Sequence, residues 1–305
     1  MDAILGTFLN PVFPIFAVLL VGIIFSRYSL FDISAAQVIN KFVFYVALPA
    51  LIFNLLCDAD FSRVDWRLPL IYFFAESFVF LLGTLVMLFG FRRTMAESIL
   101  LGMTACFANH AFFVLPIATK LYGGHAALPI TVLIVIDTTV VFGGVITGLE
   151  IAKHREASYL KIAKRLISNP VLASILIGIL VNMSEIQAHD GINTYTTFVG
   201  NAAPPASLFS LGIVLATTCR RPPGVDTLCI GGLKIIAFPL VVWGLTDTFT
   251  AFDPVFKDTL VMTAAGPCGA MPFVIAMQYH IRSQTISQAI LYSTIASLCT
   301  LPIIA

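Results

Sequence analysis

Apolar residues run along this chain in ten blocks, separated by short charged or turn-rich pieces. The blocks cover 8–26, 35–57, 68–90, 95–121, 126–150, 166–184, 196–218, 227–247, 256–279 and 284–304. A helix needs about 20 mostly apolar residues to cross a bilayer. The pattern therefore predicts an all-α integral membrane protein of ten transmembrane helices, with both faces of the bilayer joined by short connections. The longest basic connection is the central one, Glu150 to Arg165.

Composition agrees with the pattern. Of 305 residues, 59% are hydrophobic and 11% charged, and the mean hydropathy is +0.97. A soluble domain carries roughly 25% charged residues, and the short connections leave no room for one. Net charge is +1, which gives no footprint for nucleic acid. The first Lys or Arg is Arg27, so no basic region precedes the first block, and Pro11 to Phe25 reads as a permanent helix rather than a cleaved signal. Six cysteines lie in or beside apolar blocks without a CxxC pair, and read as small packing residues rather than zinc or disulfide partners.

Charge sets the orientation. With the N-terminus outside, the inside connections carry twelve Lys/Arg: Arg27, Lys41, Arg92, Arg93, Lys153, Arg155, Lys161, Lys164, Arg165, Arg220, Arg221 and Arg282. The outside ones carry four, Arg63, Arg67, Lys120 and Lys257. The positive-inside bias predicts both termini outside and the central loop cytoplasmic, in the cell (inner) membrane.

A repeat runs through the chain at an offset of 156. Ala47, Pro49, Ala50, Phe53 and Leu55 recur as Ala203, Pro205, Ala206, Phe209 and Leu211; Pro116 maps to Pro272, Asp137 to Ser293, and Gly22 to Gly178. Each half, 1–155 and 156–305, holds five helices. An odd number of crossings starts the second half on the opposite side of the membrane, so the two five-helix repeats are inverted. Inverted repeats with broken helices recur in secondary transporters.

Helices 4 and 9 carry matched prolines, Pro116 and Pro272. Proline removes a backbone donor, and in hydrocarbon a freed polar group must be buried or line a watery cavity. Gly266, Pro267 and Gly269 extend the second break toward Pro272. Inverted symmetry predicts that the two breaks cross at mid-membrane, where half-helix N-termini suit an anion.

Several polar residues lie at membrane depth, where they default to functional hypotheses. Asn109 can contact a carboxylate or pair a freed backbone group. His110 can serve the site or bond one helix to another. Asp137 is either a proton or cation site or an acceptor for hydroxyls; the offset sets Ser293 opposite it and Ala265 opposite Asn109. Glu76 and Lys234 either titrate or pair with each other. Gly143, Gly144 and Gly148 suit close helix packing. No HExxH, GxSxG or Walker loop is present, and His125, His154, His189 and His280 lack metal-ligand spacing. No enzyme, metal site or self-contained ATP-driven pump is indicated.

Tyr45-Val-Ala-Leu-Pro-Ala-Leu-Ile-Phe53 resembles the second-helix signature of the auxin efflux carrier family, which includes bacterial malonate-transporter-like proteins. Asn109 with Leu115-Pro116-Ile117, then Asn169-Pro170, the 202–212 segment, the Pro272 helix ending Ala276-Met-Gln-Tyr279, and Ser293-Thr294 resemble its later motifs. The resemblance covers essentially the whole chain. It implies crossed helices 4 and 9, a scaffold domain of helices 1, 2, 6 and 7, and a transport domain of helices 3–5 and 8–10. It implies an organic anion moved by an elevator-like motion. Phe112-Phe113-Val114 stands where the family usually has a glycine. The resulting expectation is a secondary carrier of a small carboxylate such as malonate. Substrate contacts are expected from Asn109, His110, Pro116, Gly266, Pro267, Gly269 and Pro272. Coupling to protons or sodium, if any, would use Asp137, Glu76 or Ser293. No cofactor is expected, the lipid bilayer is the surrounding partner, and a homodimer is left open. The alternatives are a cation/proton antiporter and a non-transporting membrane sensor.

Overall fold

The computed structural model describes residues 2–57, 66–123, 127–153, 168–184, 190–218, 222–248 and 254–304. Most of the basic central connection (154–167, with His154), His125, His189 and Cys219 lie outside the described residues. Among the described residues the structure is helical throughout, with one isolated antiparallel bridge between Ala108 and Cys268.

The helices follow the apolar blocks closely. They are α1 (Asp2–Arg27), α2 (33–57), α3 (67–90), α4 (Met95–Cys106), α5 (110–122), α6 (127–153), α7 (Pro170–Met183), α8 (Asp190–Gly200), α9 (Ala203–Thr218), α10 (225–248), α11 (Pro254–Ala265), α12 (Met271–Gln278) and α13 (Gln284–Ile304). The fourth block is split into α4 and α5, the seventh into the end of α8 and α9, and the ninth into α11 and α12. Five stretches are long and apolar enough to cross a membrane: Ile33–Asn54, Arg67–Gly90, Pro129–Ala152, Asp190–Ala216 and Val225–Thr248.

Helix starts are marked in the sequence. The Asp32 carboxylate accepts from the Ala35 N–H at 2.8 Å and caps α2. Thr94 and Glu97 form a reciprocal capping box at the start of α4. Asn169, just before Pro170, accepts from the Val171 N–H at 3.0 Å and caps α7. Each cap satisfies amide donors that a helix leaves unpaired at its first turn. Inside the helices, π-turns at Val43–Ala47, His110–Val114, Asp137–Phe142 and Leu233–Ala237 interrupt the α-pattern. Three of them carry His110, Asp137 and Lys234, in keeping with the frequency of π-turns at functional sites.

The exterior is apolar as well as the core. Phe13, Phe74, Phe78, Phe89, Phe198 and Trp243 are exposed, while Asn40, Glu76, His110, Asp137 and Lys234 are buried. The helices pack in two groups. In the first, α1 lies on α9, and α2 lies on α7, α8 and α9. In the second, α3 packs on α4 and α10, α10 on α11 and α13, and α4 on α6.

The first group is locked by glycine. A Cβ on Gly22 would collide with the Phe209 carbonyl oxygen, and one on Gly212 with that of Leu19. Gly178 packs in the same way on Phe53 and Leu56. Gly178, Phe209 and Gly212 stand 156 residues after Gly22, Phe53 and Leu56, so one contact is made twice, at the offset of the sequence repeat. The prediction for Gly144 and Gly148 is corrected: a Cβ on Gly144 would meet nothing within 4 Å, and one on Gly148 only the tip of Ile99 at 3.7 Å. Among the described residues no backbone of another helix approaches them closely; they border a groove instead.

Candidate functional site

The two broken helices meet at their breaks. The Asn109 N–H donates to the Pro267 carbonyl at 2.9 Å, and the Gly269 N–H donates to the Phe107 carbonyl at 2.9 Å. Backbone groups freed by one break are thus satisfied by the other, which is how unwound chain is tolerated at membrane depth. The approach is close enough to require glycine. A Cβ on Gly269 would lie 2.8 Å from the Phe107 ring and 3.1 Å from the Ala108 carbonyl oxygen; one on Gly266 would lie 2.6 Å from a Val114 methyl.

In this exchange Asn109 and Gly269 play the same donor part, and Phe107 and Pro267 the same acceptor part, an offset of 160. Ala265, which the offset of 156 sets opposite Asn109, ends α11 before the break. The position of the first break also differs from expectation. The chain unwinds at 107–109, ahead of Pro116, which lies in the first turn of the α-helical part of α5. Pro272 sits earlier, as the second residue of α12, whereas Pro116 lies inside α5 just after the π-turn His110–Val114. In a first turn the missing N–H has no intrahelical partner to lose, so Pro272 starts a half-helix without breaking one, whereas Pro116 follows a π-turn inside a continuous helix.

Two further side chains hold the second break. Ser293 Oγ accepts from the Cys268 N–H at 3.0 Å and donates to the Ile290 carbonyl at 3.1 Å. Lys234 Nζ donates to the carbonyl of Ala264 and lies 4.9 Å from the centre of the Phe238 ring. Lys234 is therefore tied to the break and forms no ion pair with Glu76. Sequence reasoning left that pairing open, since a carbonyl partner leaves no mark in the sequence.

A cavity lies on the crossing, with room for water-sized molecules of about 70 Å3. One wall is the breaks themselves, Phe107 to His110 and Gly269 to Met271, with Ile134, Asp137 and Phe142 of α6. The other wall is Leu48, Leu51 and Ile52 of α2 with Pro204, Ser207 and Leu208 of α9. The last three stand 156 residues after the first three. The repeated Ala-x-Pro-Ala segments were visible in the sequence, but their place as paired walls of a cavity was not.

Of the expected site residues, Asn109, His110, Gly269 and Asp137 border this cavity. Gly266, Pro267 and Pro272 shape the break behind it. The Asn109 side chain caps no helix, and its backbone makes the repair, so the amide is available to the cavity. His110 is buried, with Nε2 3.1 Å from the Tyr72 hydroxyl and Nδ1 3.4 Å from Asp137 Oδ2. Asp137 and Glu76 are buried side by side; no hydrogen bond of good geometry reaches either carboxyl among the described residues, with the Cys106 thiol beside Glu76 and His110 Nδ1 3.4 Å from Asp137 Oδ2. Glu76 does not reach the cavity; it lines a second groove between α3, α4 and α6.

Apolar helices, a lipid-facing exterior and a polar crossing of two broken helices define a multi-pass membrane protein with a buried solute-sized site. The chain belongs to the membrane transport protein family, that of the auxin efflux carriers, whose model matches residues 7–164 and 151–305. It is 24% identical over 298 residues to a Rhizobium meliloti (strain 1021) protein named "Putative malonate transporter", covering 95% of this chain and 92% of that one. It is 27% identical over 299 residues to an "Uncharacterized transporter" of Methanothermobacter thermautotrophicus (strain Delta H), covering 96% of each. It is 24% identical over 315 residues to the "Uncharacterized transporter YfdV" of Escherichia coli (strain K12), covering 97% of this chain and 96% of that one. The family and these relatives are transporters and not enzymes.

Proposed function

We propose that this chain is a secondary active carrier of a small organic anion, malonate or a similar carboxylate, working by an elevator-like motion. The observation that carries the reading is the cavity between the crossed breaks and the paired walls of α2 and α9. It offers the Asn109 amide and the backbone N–H of Met271 at the start of α12 as donors suited to a carboxylate, beside the Ser207 hydroxyl, which donates to the Pro204 carbonyl. The printed name of the Rhizobium relative supports a malonate-like substrate.

Ten membrane spans in two inverted halves, 1–155 and 156–305, is the architecture we assign. Its supports are the twice-made glycine contact and the cavity walls at the same offset. In this reading α1, α2 and α7–α9 form the scaffold, and α3–α6 with α10–α13 form the moving body. The cavity lies between the two groups, so sliding one past the other would carry a bound anion across. The membrane is the cell (inner) membrane, with both termini outside.

Uptake of labelled malonate by proteoliposomes tests the reading. Wild-type protein is expected to exchange malonate across the membrane, and Asn109→Ala to lose exchange while inserting and purifying normally. Undiminished exchange by Asn109→Ala would remove Asn109 from the site. A cation/proton antiporter is the second reading, favoured by the acid pair Glu76 and Asp137 beside the crossing. It predicts proton-driven cation flux that is indifferent to malonate.

A further inference from the structure

We propose that Glu76 and Asp137 together hold one exchangeable proton, and that this proton reaches them through a groove separate from the anion cavity. The use made of the proton rests on the transport reading above; the site itself rests on geometry alone.

Both carboxyls are fully buried and adjacent, and among the described residues neither receives a hydrogen bond of good geometry; the Cys106 thiol beside Glu76 and His110 Nδ1, 3.4 Å from Asp137, are the neighbouring candidates. Two ionised carboxylates can only accept hydrogen bonds, so neither can satisfy the other. A single proton changes this: the protonated group donates to its neighbour, and one negative charge disappears. Charge points the same way. The groups facing the pair are Tyr72 of α3, Cys106 of α4, His110 of α5 and Lys234 of α10. Lys234 supplies the amine of this set, and it is bonded to the Ala264 carbonyl. Two carboxylates against one lysine leave a net negative charge at membrane depth, which is costly without a compensating proton or ion.

The two acids open onto different spaces. Asp137 borders the cavity at the crossing. Glu76 borders the groove between α3, α4 and α6, which has about 340 Å3 of room for water-sized molecules. Phe80 lines it one turn beyond Glu76, and Gly144 and Gly148 line it two and three turns beyond Asp137. The groove thus runs toward the end of the bundle where α3 stops and α4 begins. Gly144 is exposed and leaves it open, since a Cβ there would meet nothing within 4 Å. The carboxyl pair forms the partition between the groove and the cavity. An anion entering beside an ionised Asp137 would be repelled. A proton delivered to Glu76 through the groove and passed to Asp137 neutralises the carboxyl that faces the cavity, so anion and proton load together, one of each.

Dicyclohexylcarbodiimide, an apolar reagent that reacts with protonated carboxyls in apolar surroundings, tests this on the purified full-length protein. Mass spectrometry of the peptides locates the label. Glu76 is expected to be modified, less so as pH rises. Gly144→Leu, which fills the groove without meeting backbone, should reduce modification several-fold. Asp137→Asn should do the same, because Glu76 alone can stay ionised against Lys234. Variants are compared as monodisperse samples, and Gly148→Leu replaces Gly144→Leu if the latter does not fold. The proposal is overturned if Glu76 stays unmodified at every pH, or if modification is undiminished either in the groove-filling variant or in Asp137→Asn. Malonate counterflow by wild-type protein in the same vesicles separates the two readings. Counterflow without the labelling pattern overturns the shared proton alone; the labelling pattern without counterflow overturns the transport reading alone.

Discussion

Asn109 and Ser293 divide the work at the crossing. Asn109 repairs the break through its backbone and leaves its amide to the cavity, whereas Ser293 uses its side chain to satisfy the Cys268 N–H. Their variants should therefore fail differently. Ser293→Ala leaves a buried amide without an acceptor, at about 1–3 kcal/mol, and should lower the Tm of the purified protein. Asn109→Ala removes no structural bond of the side chain and should leave Tm close to wild type while abolishing malonate exchange. Equal losses of Tm in both would assign Asn109 a structural role. Asp137 and Ser293 hold matching places in the two halves, yet one faces the cavity and the other caps a break. The sequence showed that they differ. It did not show that Glu76, 61 residues earlier, lies beside Asp137, because nothing local records a contact across three helices.

The helices themselves were legible, since long apolar blocks in hydrocarbon have no alternative to a helix. The breaks were legible less well. Pro272 marks a half-helix that begins, Pro116 lies inside one beyond its π-turn, and the unwound residues 107–109 carry no proline at all. Glycine was the most ambiguous signal. Gly22 and Gly212 permit two helices to touch, whereas Gly144 and Gly148 leave space empty, and only the neighbouring backbone distinguishes them. Gly212→Ala should push α1 from α9 and destabilise the protein by about 1–3 kcal/mol, the usual range for overpacking. Thermal unfolding in detergent measures this; a Tm equal to wild type would mean that the two helices are not held in contact.

For the whole molecule, the offset of 156 carried more information than any single motif. It relates the glycine contacts of α1 and α7, and it pairs the cavity walls of α2 and α9. It slips to 160 where the breaks cross, so a rigid alignment of the halves sets the wrong residue opposite Asn109. The orientation follows from charge: reporters fused after the last helix should show the C-terminus outside the cell, with alkaline phosphatase active and green fluorescent protein dark. The reverse pattern would invert the assignment and place the groove beside Glu76 on the opposite face.

The central claim, that a small carboxylate is held where the two broken helices cross, is tested most directly by hydrogen–deuterium exchange with and without malonate. The account predicts added protection in peptides covering 107–114 and 267–274, with weaker protection in the walls of α2 and α9. Malonate binding that leaves both breaks unprotected, or protects a distant segment instead, would contradict it.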